Sequence, residues 1–209
     1  MTDIEFSSPV TVFIGENGSG KSTLIECIAK LTNLNLEGGS KNNTFSSHTA
    51  VDGTLSDACR LIRAAKYPKD AYFYRAESYF NLMTALDNLG ISDDYFDHNL
   101  HDLSRGEGFL QIIAHRFFGQ GMYLLDEPES GLSFQSQLSV LYHINELVKQ
   151  DSQFIISTHS PILLMYPGAT IYQITERGLE QVDAKDNFLF DNWRLLINNS
   201  DRLINGLLR

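Results

Sequence analysis

The chain has 209 residues, of which 43% are hydrophobic and 20% are charged. This length allows one sizeable hydrophobic core, so we expect a single domain over residues 1–209. The net charge of −10 argues against a broad contact with nucleic-acid phosphates, although a local basic groove is still compatible with it. Cys27 and Cys59 are far apart and fit neither a disulfide framework nor a zinc-binding spacing, which is typical of a reducing compartment. No apolar run approaches the ~18 residues of a membrane span, and the start of the chain carries Asp3 and Glu5 where a leader would be basic and then apolar, so we expect a cytoplasmic protein without direct membrane insertion.

Short apolar runs alternate along the chain with stretches of helical spacing. In chain order, the pattern predicts a strand at 10–14, a helix at 22–31, an irregular loop at 33–53, a helix at 55–65, a strand at 71–74, helices at 79–89 and 104–118, a strand at 122–125, a helix at 134–149, a strand at 154–157, a hairpin of strands 171–174 and 179–182, and a helix at 188–208. Buried short strands joined by crossover helices predict an α/β fold with a mostly parallel sheet.

The turn between the first strand and the first helix fits the pattern G-x-x-x-x-G-K-[ST] of a phosphate-binding loop. Its residues are Gly15, Glu16, Asn17, Gly18, Ser19, Gly20, Lys21, Ser22 and Thr23. Glycines let backbone N–H groups turn toward a phosphate, and the helix N-terminus adds partial positive charge. We expect Lys21 to reach the β- and γ-phosphates of a nucleotide and the Ser22 hydroxyl to bind Mg²⁺. The alternative is a chance glycine turn, which the flanking strand and helix disfavour.

Two carboxylates follow the predicted strand 122–125. Asp126 ends a buried strand, where a charge is costly without a cation or donors, so it is a candidate Mg²⁺ ligand. Glu127 is one residue further on and is a candidate to orient or deprotonate a water that attacks the γ-phosphate. An apolar run that ends in Asp-Glu is common, and it gains meaning here from the phosphate-binding loop.

The run Leu103-Ser104-Arg105-Gly106-Glu107 resembles the L-S-x-G-E signature of the ATP-binding-cassette superfamily. Ser104 and Glu107 also have the spacing of a helix capping box, and both interpretations hold together. The resemblance implies a P-loop NTPase fold of cassette type, ATP and Mg²⁺ as ligands, ATPase activity, and a small helical signature subdomain at about 55–118. It also implies a head-to-tail homodimer formed on ATP binding, in which Ser104, Gly106 and Glu107 of one protomer complete the site of the other.

Other motifs follow the same family in part. His159, after the strand 154–157, resembles the histidine that senses the γ-phosphate, although a lone histidine at a strand end is more often a surface residue. Ser133 stands where the family usually has an aspartate. Transporter cassettes carry a Q-loop glutamine before the signature, and here no glutamine precedes Gln111. We therefore expect Glu77 to take over that role near metal and water, with Arg75 as its partner or as a surface charge.

The start of the chain also departs from the family, because few residues precede the phosphate-binding loop. Phe6 is a candidate for the aromatic residue that stacks on the base, with an ordinary role in the core as the alternative. Asp97, His98, His101 and Asp102 could suggest a metal site, but a solvated loop is the safer interpretation.

The whole chain resembles a group of small stand-alone bacterial ATPases that carry an AAA-family label. The residues specific to this group are 37–40 and 75–78. A soluble ATPase that acts on nucleic acid or on a partner protein ranks first. A transporter motor and a nucleotide-sensing module with little turnover are the alternatives, and the absence of a sustained heptad pattern disfavours a chromosome-maintenance ATPase.

Overall fold

A computed structural model describes residues 3–36, 38–40, 55–63, 67–79, 84 and 104–208. The described strands are β1 Val10–Ile14, β2 Gly39–Ser40, β3 Asp70–Arg75, β4 Gly121–Asp126, β5 Gln153–Ser157, β6 Thr170–Thr175 and β7 Gly178–Val182. The described helices are α1 Lys21–Leu31, α2 Arg105–His115, α3 Phe134–Val148 and α4 Phe188–Leu207, with single 3₁₀ turns at Leu55–Ala58 and Leu163–Met165. Helix α4 bends at Asn199, whose backbone is not helical.

The strands form one seven-stranded sheet in the order β2-β3-β4-β5-β1-β6-β7. Strands β3, β4, β5, β1 and β6 are parallel, while β2 and β7 pair antiparallel at the two edges. The carboxyl ends of the five parallel strands therefore lie along one edge of the sheet, which is where α/β proteins bind ligands. Strand β5 lies between β1 and β4, so the loops after β1 and β4 open on either side of it.

Each face of the sheet buries its own hydrophobic cluster. Phe13, Phe73 and Leu124 point to the face covered by α1, where Ile25 and Ala29 pack against them. The opposite face carries a larger cluster, contributed by strands, α2, α3 and the start of α4. Alternate residues of one strand serve the two faces, which explains why the strands are almost continuously apolar in sequence. Within the described parts of the chain, no helix is both long and apolar enough to cross a membrane.

The α/β fold and the predicted strands are confirmed, including the terminal hairpin of β6 and β7. Helix 104–118 is confirmed with an earlier end at His115. The chain leaves the helix there, and the next residue, Arg116, forms a double hydrogen bond with Asp70 at the start of β3, at 2.9 and 3.2 Å. Most of the helix predicted at 79–89 lies outside the described residues.

The prediction of a helix at 55–65 is wrong for the described residues. Only Leu55–Ala58 forms a 3₁₀ turn, and 59–63 is not helical. Leu55 and Ile62, two apolar residues of this segment, do not reach a core among the described residues, since both are exposed. Without a buried face, an isolated short helix gains too little to form. Polar contacts hold the segment against α1 instead, such as the hydrogen bond of 3.0 Å from Arg63 to the Leu31 carbonyl.

Three further expectations need correction or a limit. The predicted loop 33–53 contains a short strand, because Gly39–Ser40 pairs with β3, and 41–54 is outside the described residues. Strand β3 lies within the range 55–118 expected for a helical subdomain, yet it belongs to the central sheet. The thiols of Cys27 and Cys59 are close enough to interact, which their separation in sequence did not suggest, and burial together with the Cys59 thiol raises the pKa of Cys27 to about 11.

Candidate functional site

The phosphate-binding loop connects β1 to α1 at the open edge of the sheet. The side chain of Lys21 is buried, and its Nζ donates to the carbonyl oxygens of Gly15 and Glu16, both at 3.0 Å. Burial lowers the pKa of Lys21, while the nearby carboxylates of Glu127 and Asp126 raise it. The Lys21 ammonium is therefore held against the first two residues of the loop.

The N-terminus of α1 is left open to a ligand. Its N-cap is Gly20, which has a φ of 97°, a left-handed conformation that glycine adopts without strain. Gly20 has no side chain to accept a hydrogen bond from the first N–H groups of the helix, and the first turn of α1 contains no acidic residue. These N–H groups and the helix dipole consequently favour an anion at this position.

Asp126 and Ser22 meet next to this helix start. The Ser22 hydroxyl lies 3.2 Å from Asp126 Oδ1, and the Ser157 hydroxyl donates to the same oxygen. The Asp126 side chain is buried, with 6% of its surface exposed. A carboxylate and a hydroxyl are the hard oxygen donors that Mg²⁺ prefers, so this pair fits the metal predicted from the sequence.

Glu127 follows Asp126 in an uncommon backbone conformation. Its φ is 50°, which lies in the left-handed region and is costly for a residue with a side chain. The Glu127 N–H donates to the Ser157 carbonyl at 3.0 Å, which ties this turn to the end of β5. The conformation directs the residue after the buried Asp126 outward, and the Glu127 side chain is 46% exposed.

His159 faces Glu127 from the loop after β5. Its Nε2 lies 3.6 Å from Glu127 Oε1, and this buried nitrogen has no hydrogen-bond partner among the described residues. Burial, followed by the positive charge of Lys21, lowers the pKa of His159. A neutral imidazole with a free nitrogen can donate to, or accept from, a group that enters beside Glu127.

Glu129 is a residue of this site that the sequence reasoning did not single out. Its Oε1 accepts a hydrogen bond from the His159 backbone N–H at 2.6 Å, so it fixes the loop that carries the imidazole. Burial raises the pKa of Glu129, and its Oε2 has no hydrogen-bond partner among the described residues. The sequence signal for Glu129 is that it is the second glutamate in Asp-Glu-Pro-Glu, because a surface turn would not require a glutamate at that position.

The signature residues begin α2 on the surface of the protein. Ser104 and Glu107 form the predicted capping box: the Ser104 N–H donates to Glu107 Oε2 at 2.9 Å, and the Glu107 N–H donates to Ser104 Oγ at 3.3 Å. Hydrogen bonds from the Ser104 hydroxyl and N–H lower the pKa of Glu107. Leu103 lies outside the described residues, as do Glu37 and the residues 97–102 considered as a metal site.

Gly106 packs against the turn that follows β4. A Cβ atom at Gly106 would lie 2.5 Å from the Gly131 carbonyl oxygen, so only glycine fits. Gly131 itself has a φ of 82° and precedes Ser133, the N-cap of α3, whose side chain accepts from the Ser136 N–H at 3.1 Å. The start of α2 and this turn are thus in direct contact within one chain.

Glu77 lies beside the site, and Arg75 lies within it. The Glu77 side chain is 81% exposed and pairs with Arg75 Nη2 at 3.1 Å. The structure brings Arg75, not Glu77, toward Asp126, with Nε 3.8 Å from Oδ2. A role for Glu77 as a metal ligand is a prediction that these distances do not favour. Phe6 is partly buried and packs edge-on against Phe13, at 6.4 Å between ring centroids, which is the ordinary core role.

Comparisons with known proteins find similarity to AAA domains and to ATP-binding proteins. A family model described as "AAA domain" matches residues 2–80, and one described as "AAA domain, putative AbiEii toxin, Type IV TA system" matches residues 85–165. An uncharacterized ABC transporter ATP-binding protein of Haemophilus influenzae is 35% identical over 106 residues, which cover 50% of this chain and 40% of that protein. The cobalt import ATP-binding protein CbiO of Salmonella paratyphi A is 26% identical over 200 residues, covering 83% and 70% of the two chains.

A solved dimeric bacterial ABC transporter cassette is 14% identical, with a TM-score of 0.48 over 88% of this chain and 89% of that one. The chain spans less than half the length of the curated relatives that it matches first. The two AAA family models adjoin each other, at residues 2–80 and 85–165, and each covers less than half of the chain. Both of the curated relatives are named as ATP-binding proteins. The chain thus has the α/β fold of a P-loop protein, and it is similar to AAA domains and to an ABC transporter ATP-binding protein.

Proposed function

We propose that the chain binds ATP with Mg²⁺ at the open edge of its sheet and hydrolyses the γ-phosphate bond. The observation that carries the proposal is the hydrogen bond of 3.2 Å between Ser22 and Asp126, beside the buried Lys21 ammonium. These groups supply a cation and the N–H groups of a helix start to phosphate oxygens, together with two oxygen ligands for a metal.

Each residue has a distinct task in this proposal. Lys21 leaves the carbonyl oxygens of its own loop and pairs with the β- and γ-phosphates. Ser22 and Asp126 would hold Mg²⁺, which when bound neutralises charge on the phosphate oxygens. Glu127 orients or deprotonates the attacking water, and His159 contacts the γ-phosphate through Nε2, which has no hydrogen-bond partner in the described part of the chain.

A second copy of the chain completes the site. Ser104 begins α2 on the surface, and a serine hydroxyl with helix N–H groups suits a γ-phosphate held by another protomer. Glu107 keeps the start of α2 in shape through the capping box. ATP bound between two protomers would then act as part of the dimer interface, and its hydrolysis would release the protomers.

The proposed partner of this dimer is a nucleic acid or another protein. The relatives named as transporter subunits favour a second candidate, in which the chain drives a membrane transporter. The absence of a glutamine before Gln111 favours the nucleic-acid or protein partner. Transporter cassettes use a glutamine before the signature to contact their membrane subunit. Measuring ATP hydrolysis with and without added DNA or RNA separates them, since stimulation supports nucleic acid and is not expected of a transporter motor.

Phosphate release from ATP and equilibrium binding of ATP test the function itself. We expect the wild-type protein to hydrolyse ATP only with Mg²⁺, and Lys21→Ala to lose ATP binding while it stays folded by circular dichroism. Lys30→Ala is the matched control, since Lys30 lies on the same helix but pairs with Asp57 at the surface. A folded Lys21→Ala protein with unchanged ATP affinity would refute the proposal.

A further inference from the structure

Arg75 is surrounded by carboxylates from three parts of the chain. Its Nη1 lies 2.8 Å from Glu26 of α1, its Nη2 lies 3.1 Å from Glu77, and its Nε lies 3.8 Å from Asp126 of β4. The Arg75 side chain is 22% exposed, so the guanidinium is mostly removed from water. A partly buried cation beside a metal ligand affects that ligand more strongly than a surface charge would.

The two oxygens of Asp126 face different neighbours. Oδ1 accepts from the hydroxyls of Ser22 and Ser157, which is the side where the metal is proposed. Oδ2 faces Arg75 Nε at 3.8 Å, which is too long for a hydrogen bond. That Nε is buried and has no hydrogen-bond partner among the described residues. Arg75 is thus close to the metal ligand without being bonded to it.

Glu26 is the group that holds Arg75 at this distance. It makes the shortest of the three ion pairs, and it lies one helical turn after Ser22 on the same face of α1. Arg75 and Asp126 are opposite each other in the register of β3 and β4. The proposed metal ligands and the two ends of the Arg75–Glu26 pair are therefore fixed by the same three elements.

We propose that Arg75 is a built-in cation that competes with Mg²⁺ for Asp126, and that Glu26 restrains it and so sets how strongly nucleotide binding depends on Mg²⁺. The inference rests on the proposed Mg²⁺ and ATP site. Without metal, the guanidinium balances the charge of Asp126 and attracts phosphate oxygens. With metal, the Glu26 pair keeps the guanidinium clear of Oδ2. Arg75 is a positioning residue in this account, because it acts through Asp126.

The test measures nucleotide affinity directly, without turnover. A fluorescent, non-hydrolysable ATP analogue is titrated with saturating Mg²⁺ and again with EDTA. The metal dependence is the dissociation constant in EDTA divided by the dissociation constant with Mg²⁺. We expect Arg75→Gln to increase this ratio about 3- to 10-fold, because the competing cation is gone. Glu26→Gln should decrease it, because the freed guanidinium moves onto Asp126.

The double variant separates restraint from simple charge. If Glu26 acts through Arg75, Glu26→Gln has no effect on the ratio in an Arg75→Gln background. If Glu26 acts only by its charge, the effect persists and the restraint is refuted. Arg116→Gln is the matched control, since Arg116 pairs with Asp70 at the other end of β3 and should leave the ratio unchanged.

Two further outcomes are decisive. A wild-type ratio of one would mean that nucleotide affinity does not depend on Mg²⁺, which would refute both the proposed metal site and this inference. A wild-type ratio above one that Arg75→Gln leaves unchanged or lowers would overturn the inference alone. Should Arg75→Gln fail to fold, Arg75→Lys keeps the charge but cannot span two carboxylates at once, so it should decrease the ratio as Glu26→Gln does.

Discussion

The Ser22 hydroxyl lies 3.2 Å from Asp126 Oδ1, although 104 positions separate the two residues in the chain. Two features of the fold bring them together. Ser22 is in the first turn of the helix after β1, and Asp126 ends β4, which is separated from β1 only by β5. Because these three strands are parallel, their carboxyl ends meet at one edge and the two oxygens converge there.

The left-handed backbone of Glu127 predicts an unusual order of stability between two variants. Both Glu127→Gly and Glu127→Ala remove the side chain, but alanine at a φ of 50° is strained and glycine is not. We expect Glu127→Gly to have the higher free energy of unfolding, by about 1 kcal/mol, in urea denaturation.

The same pair of substitutions at Glu146 supplies the control. Glu146 lies in the last turn of α3 and has a helical backbone, so there Gly should be less stable than Ala, by up to about 1 kcal/mol. Equal stabilities at Glu127, or the order seen at Glu146, would mean that Glu127 does not adopt this conformation in solution.

The predictable parts of the fold are those in which local sequence and tertiary structure agree. The apolar strands and the phosphate-binding loop are predictable because a buried parallel strand followed by a glycine turn and a helix leaves a local pattern in the sequence. The helix predicted at 55–65 failed because spacing alone does not show whether a core exists for Leu55 and Ile62 to face. The structure of this segment is therefore determined by tertiary packing and not by residue spacing.

Contacts between distant residues were not predictable in the same way. The Arg75–Glu26 pair depends on how α1 lies over β3. The contact between Glu129 and His159 depends on the relative positions of the β4 and β5 loops. Neither register nor the packing of a helix on a sheet is encoded in residue spacing, so a single sequence could name Asp126 and His159 but not the residues that position them.

The pKa of His159 should lie below its ordinary value of 6.5. Burial is the main cause and the Lys21 charge is the next, so Lys21→Met should move the pKa back toward 6.5 while leaving a remaining shift from burial. Titration of the histidine Cε1 protons by NMR measures both values, with Lys30→Met as the control that changes nothing.

The lowered pKa also sets the sign of a stability effect. Folding disfavours the protonated imidazole, so the contribution of His159 to the free energy of unfolding is complete above pH 6.5 and is lost as the pH falls from 6.5 through the folded-state pKa. A His159 pKa at or above 6.5 in the nucleotide-free protein would contradict this description of the site.

The close approach of Gly106 and Gly131 predicts that a single methyl group disturbs the signature helix. Gly106→Ala would force its Cβ against the Gly131 carbonyl oxygen, at 2.5 Å in the present geometry. We expect a loss of about 1 to 3 kcal/mol in the free energy of unfolding. Gly206→Ala is the control, because no atom of the described residues lies within 4 Å of its added Cβ and it belongs to α4, so that change should be neutral or slightly stabilising. A Gly106→Ala protein as stable as the wild type would show that the two segments are further apart.

The central claim is that ATP bound by one protomer is also held by Ser104 of another, and sedimentation velocity of Glu127→Gln tests it most directly. This variant keeps the shape of the side chain but loses the charge that activates water, so turnover should fall about 10²- to 10⁴-fold while ATP stays bound. We predict a dimer with ATP and Mg²⁺ and a monomer with ADP. Adding Ser104→Arg should abolish the dimer, whereas Ser139→Arg on the exposed face of α3 should not. A Glu127→Gln protein that binds ATP tightly and still sediments as a monomer would contradict the account.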